Sequence, residues 1–307
     1  MTRALVRYAW IVLAWNVVVI LLGATVRATG SGAGCGPSWP TCHGQLIPPV
    51  LEGATAWEFS HRAASGLALL LVAWLALWVR RASPAGHPAR LGAMLSVVAI
   101  VVEALIGAGL VLFEWVADDV SVARVVSVPL HLVNTLFLLG ALTLTAYWVL
   151  GGMPLRPSHH KGLARLLIWG VLGMVLVAAT GAVTALADTL FPAESIRQGL
   201  AQDLSSTEHF LTRWRVAHPV VAAGVGGFLV WLALRRGAGH PAALAVVTLV
   251  GLQMLMGLVN LALLTPLWAQ LVHLALADAL WVAYVWMAAR LLAEPVLVAW
   301  HGPTTRR

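Results

Sequence analysis

Four histidines of this chain, His61, His131, His218 and His273, stand at one end of alternate apolar runs. Ionisable side chains inside a membrane are costly, and they tend to face the protein interior and carry function. A single such histidine is more often a hydrogen-bonded core residue than a ligand. Four at matched positions point to metal ligation. Zinc needs a tight tetrahedral set of N, S or O donors. Two imidazoles on separate helices suit a flat macrocycle held from both faces, as haem iron is held, and a bundle core is a natural cofactor site. The spacing therefore predicts two bis-histidine haem sites, His61 with His131 and His218 with His273. Pro219 follows His218 directly, and proline is tolerated only in a helix's first turn. The helix should then start close to His218, and His209 stays open as the alternative ligand.

The two sites differ in their neighbours. Glu58 precedes His61 by three residues, on the same helical face one turn outward. The matching residue before His218 is Arg215. A carboxylate beside the first pair can manage protons during chemistry, with a salt bridge to Arg62 as the plainer role. An arginine beside the second can hold a haem propionate, or simply reach the membrane interface. The N-terminal site reads as catalytic and the C-terminal site as a permanent electron carrier.

The chain is 60% hydrophobic and only 10% charged, far below the quarter usual for soluble proteins. Apolar runs near 8–27, 62–79, 91–113, 127–149, 164–187, 215–234, 242–264 and 268–290 each approach the length needed to cross a bilayer. The fold class is thus all-α integral membrane with eight spans. One set of loops and ends holds 13 of the 19 Lys and Arg residues, Arg306 and Arg307 among them. The other holds Arg27, Arg62, Arg124, Arg197, Arg213 and Arg215. The positive-inside bias puts both termini in the cytoplasm of a cell (inner) membrane. The +7 charge is topological, with anionic lipid as its partner, and speaks against nucleic acid. The first run is long enough to span and has no A-x-A-like site, so it reads as a retained helix.

The sequence repeats itself. "GATVRATGSG" matches "LVAATGAVT", and "VEALIGAGLVL" matches "GLQMLMGLVNL", with Glu103 against Gln253 and Gly107 against Gly257. "PLHLVNTLFLL" matches "QLVHLALADAL". Two tandem four-helix bundles follow, residues 1–150 and 151–307, related by a pseudo-twofold axis along the membrane normal. The stretch 27–60 between the first two spans is rich in glycine and proline, and holds the only cysteines, Cys35 and Cys42. On the outer, oxidising side these can form a disulfide. A plain staple and a redox-active pair both remain open.

"GATVRATGSGAGCGPSWPTCHGQLIPP" followed by "EFSHR" resembles the heme A synthase family, as do the eight spans, the two halves and the four histidines. The resemblance covers most of the chain, less sharply in spans 5–8. It implies oxidation of the C8 methyl group of heme O to a formyl group by successive hydroxylations, giving heme A for terminal oxidases. It implies that His61 and His131 hold the substrate haem, that His218 and His273 hold heme b, and that Glu58 is the essential carboxylate. It also implies a Cys35–Cys42 disulfide. Some members have His-Arg where this chain has His218-Pro219. Expected partners are a heme O synthase and an electron-transfer protein that the sequence does not identify. A homo-oligomer is left open. The other readings of the histidines are a diheme b-type quinol-oxidising cytochrome, and a transporter that would carry no haem.

Overall fold

The computed structural model describes residues 1–237 and 239–293; His301, Arg306, Arg307 and the end of the 151–307 half lie outside them. Ten helices order the described chain: α1 (Arg3–Ala28), α2 (Gly53–Ala82), α3 (Pro88–Leu112), α4 (Val122–Val149), α5 (Lys161–Leu190), α6 (Ile196–Leu204), α7 (Phe210–Trp214), α8 (Ala217–Arg236), α9 (Pro241–Ala262) and α10 (Leu267–Leu292). Eight segments are long and apolar enough to cross a membrane, α7 and α8 together making the sixth. The chain is an all-helical multi-pass membrane protein, with no strand among the described residues.

The helices run further than hydropathy predicts. α2 begins at Gly53 rather than 62, so Glu58 and His61 lie within it. α4 begins at Val122 rather than 127, which puts His131 well inside. Its N-cap Ser121 accepts from the Arg124 amide at 3.2 Å, a cap of the usual type. The sixth span breaks at Arg215 and restarts at Ala217, so Pro219 falls in the first turn of α8, where its missing N–H costs no helical bond. Helix α6 is a short addition in the loop between the fifth and sixth spans that composition did not reveal.

Large apolar side chains such as Leu105, Trp169 and Leu244 are exposed and face the direction lipid would occupy. The interior is closed by small residues, as membrane helices require when lipid is as apolar as leucine. Gly92 lies against Thr145 and Trp148, and Gly170 against the Tyr284 hydroxyl, which donates to the Leu167 carbonyl at 2.7 Å. Between the halves, Trp281 of α10 donates to the Leu136 carbonyl of α4 at 2.7 Å and packs on Gly140.

At the end where α1 finishes, Arg27 ties three helices. Its guanidinium donates to the Ala185 carbonyl and Thr189 hydroxyl of α5, both at 2.6 Å, and to Gln270 of α10 at 2.7 Å. Arg27 thus clamps the first helix to the second half. Replacing it by Met should lower the thermal midpoint in detergent, because buried acceptors left without a donor cost about 1–3 kcal/mol. A midpoint equal to that of the unsubstituted protein would show that the clamp is dispensable.

Candidate functional site

Each of the four membrane histidines faces a glycine on the preceding long helix. A Cβ at Gly23 of α1 would stand 2.9 Å from His61 Cε1 of α2. One at Gly181 of α5 would stand 2.9 Å from His218 Cε1 of α8. At Gly107 of α3 it would be 3.7 Å from His131 Cε1 of α4, and at Gly257 of α9 it would be 3.5 Å from His273 Cε1 of α10. At Gly23 and Gly181 the missing side chain is what leaves room for the imidazole. All four lie at the end of the bundle that carries the cysteine loop.

In the C-terminal half the rings of His218 and His273 lie edge to face, with centroids 6.4 Å apart and planes at 84°. His218 Nδ1 lies 3.3 Å from the Thr180 hydroxyl. His273 Nε2 lies 3.2 Å from Gln253 Nε2, and its Nδ1 is buried without a partner. A cleft of about 200 Å³, lined by Pro129, Ala179, Thr180, Val183 and Trp214, opens beside Thr180. His209 is occupied elsewhere. It caps α7 through the Leu211 amide at 3.3 Å and stacks on Phe191 at 4.8 Å.

In the N-terminal half His61 Nδ1 is buried without a hydrogen bond of normal geometry. His131 Nδ1 lies 3.1 Å from Glu103 Oε1 of α3, near but not aligned as a hydrogen bond. Buried ring nitrogens without partners are costly, and three of the four histidines have one. Of these, His131 Nδ1 has the Glu103 carboxylate beside it, while Nδ1 of His61 and of His273 has no hydrogen-bond partner. Among the described residues no cluster of three or more His, Cys, Asp or Glu side chains converges as a bare metal ion would need.

Glu58 is 3% exposed and points into the cysteine loop. It accepts from the Cys35 amide at 2.7 Å and pairs with Arg62, which also donates to the carbonyls of Ser38 and Thr41. Thr55 donates to the Gly34 carbonyl at 2.7 Å, and a Cβ at Gly34 would strike the Ala54 backbone at 2.4 Å. The loop is thus drawn down onto the first turns of α2, beside His61. Cys35 and Cys42 are in disulfide geometry with Cα atoms 4.4 Å apart. Leu46 and Ile47 at the loop's rim are 83% and 72% exposed.

Arg215 is already engaged. It donates to the Phe191 carbonyl at 2.8 Å, and its Nε lies 3.5 Å from Asp188 and 3.6 Å from Asp203. Burial pushes the Asp203 carboxyl above its ordinary range, and the Arg215 charge draws it back down. Sequence reasoning passed over Glu103, Gln253, Asp188 and the glycines as site residues. The repeat held a signal, since it aligned Glu103 with Gln253 and Gly107 with Gly257. Asp278, five residues beyond His273, is also buried with Oδ2 unpartnered.

Residues 6–285 match the sequence profile of the COX15-CtaA family, described as cytochrome oxidase assembly protein. The chain is 49% identical over 291 residues to a Protoheme IX farnesyltransferase of Thermus thermophilus, covering 93% of this chain and 48% of that protein. It is 32% identical over 182 residues to a Heme A synthase of Exiguobacterium sibiricum, covering 59% of each. It is 38% identical over 138 residues to a Heme A synthase of Staphylococcus carnosus, covering 43% of this chain and 41% of that protein. The chain thus spans about half the length of the curated relatives it matches. With most of its length inside the match, and the paired histidines inside it too, the chain belongs to the COX15-CtaA cytochrome oxidase assembly protein family.

Proposed function

We propose that this protein is a heme A synthase, an oxidoreductase that converts the C8 methyl group of heme O to a formyl group. The observation that carries the reading is the set of four glycine-backed imidazoles at one end of the bundle, one pair of which has carboxylates close by. Two Heme A synthases among the relatives support the assignment. The 49%-identical relative is named for farnesyl transfer to protoheme IX. That is the class of reaction that would supply heme O, so a heme O synthase is the expected partner.

On this reading the halves 1–150 and 151–307 are related by a pseudo-twofold axis along the membrane normal. His61 and His131 hold the substrate. His218 and His273 hold heme b, which when bound supplies one-electron chemistry. His218 of α8, rather than His209, is the ligand of the sixth span, because its ring lies 6.4 Å from that of His273 while His209 is spent on a cap. Both termini face the cytoplasm of the cell membrane, and the loop caps the substrate site from outside. Its cysteines are joined as a disulfide that keeps the cap in shape. Arg215 would hold a propionate by exchanging one of its two carboxylate neighbours for it.

Glu58 has two tasks on this account. Its pairing with Arg62 and the Cys35 amide holds the cap down, and its place one turn outward from His61 puts a carboxylate at the rim of the site. Methyl oxidation releases protons, and a positioned carboxylate can speed such a step by roughly 10²–10⁴-fold.

Expression of the full chain in cells that make heme O but not heme A should yield heme A on extraction; unchanged heme O would contradict the activity. His61→Ala and His131→Ala should abolish heme A while keeping heme b, and His273→Ala should lose heme b. A heme b that survives loss of His273 but not of His61 would reverse the halves. Glu58→Gln keeps an acceptor for the Cys35 amide but not the charge. It should retain bound heme O and make little or no heme A, and a normal yield of heme A would leave Glu58 as a loop anchor alone. Gly23→Ala and Gly181→Ala should displace His61 and His218 and cost haem content, whereas Gly107→Ala, at ordinary contact distance, should cost much less. Equal loss from all three would show that the glycine contacts do not set the rings.

A further inference from the structure

Glu103 of α3 and Gln253 of α9 occupy matching places in the two halves, four residues before Gly107 and Gly257. Each reaches the histidine of the next helix, and they reach it differently. Glu103 Oε1 lies 3.1 Å from His131 Nδ1. Its carboxylate is held by two α4 side chains. The Asn134 amide donates to Oε2 at 2.5 Å and the Thr135 hydroxyl donates to Oε1. Asn134 is itself fixed by the Ala99 carbonyl at 2.9 Å. Both carboxylate oxygens are thus met by donors from α4.

None of this recurs in the second half. Gln253 is neutral and meets Nε2 of His273 rather than Nδ1, and His273 Nδ1 has no partner. Counted from the histidine, the places of Asn134 and Thr135 are taken by Leu276 and Ala277. So a polar cradle surrounds one ligand histidine and is absent from its counterpart.

We propose that Glu103, seated by Asn134 and Thr135, is a positioning residue that makes His131 the stronger donor of the two halves and gives the N-terminal haem the lower reduction potential. The inference rests on the haem-binding reading above and deepens it. A carboxylate behind a ligating imidazole fixes its tautomer, orients the ring and raises its basicity. The added negative charge favours the ferric iron, which carries one more positive charge than the ferrous. Gln253 offers neither effect. The two pairs of histidines, alike in kind, are thereby set apart in redox character by one carboxylate and its absence.

The test is a spectroelectrochemical titration of the purified full-length protein, with electron paramagnetic resonance (EPR) of the ferric state. The His273→Ala spectrum assigns the N-terminal haem. Glu103→Gln should raise that haem's midpoint potential, by about 59 mV for each tenfold loss of ferric preference, and weaken its retention by roughly 10–100-fold. The C-terminal haem should stay where it was. Glu103→Asp should return the potential part of the way. Gln253→Glu should lower the potential of the other haem, and it asks the same question should Glu103→Gln fail to accumulate. An unmoved potential in haem-loaded Glu103→Gln, or an equal shift of both haems, would overturn the proposal while leaving haem binding intact. A colourless parent protein would remove the haem-binding reading, and this inference with it.

Discussion

Everything in this bundle turns on how an imidazole can be kept inside a membrane. His61 and His218 take space that a side chain at Gly23 and Gly181 would have filled, and His131 and His273 lie in contact range of Gly107 and Gly257. That contact fixes where the helices of each pair may lie, because a packed interior does not deform smoothly. Three of the rings still have a buried nitrogen without a partner. Of these, His131 Nδ1 has the Glu103 carboxylate beside it, so a metal held by this ring would take Nε2.

Around that constraint the two halves diverge. The first half gathers the carboxylates, with Glu103 behind His131 and Glu58 beneath the cysteine loop. The second half gathers Arg215 with Asp188 and Asp203 at its outer end and leaves His273 to a neutral glutamine. Arg27 joins the two, bonding α1 to α5 and α10. A common scaffold with unequal neighbours is what a site for chemistry and a site for a resident cofactor would require of one repeated unit.

Much of this was legible in the sequence. The eight spans follow from hydropathy, and the histidines stand out because charge is so scarce between them. Pro219 correctly placed the start of α8 beside His218. The helix starts were misjudged where helices run on past the apolar core. The second apolar run begins only at 62, yet α2 starts at Gly53, and there Glu58 and Arg62 bond to the loop above. The Glu103–His131 contact was beyond reach for a different reason. It depends on the rotation of α3 against α4, and a helix that is apolar on both its lipid and its protein face carries little amphipathic signal to set that rotation. The repeat aligned Glu103 with Gln253 but could not say that either one touches a histidine.

The central claim is that two facing histidine pairs each grip a haem. EPR of the purified, oxidised protein tests it most directly. The account predicts low-spin ferric signals from two bis-imidazole centres, one lost with His131→Ala and the other with His273→Ala. A protein that purifies with no haem, or whose ferric signals survive both substitutions, would contradict it.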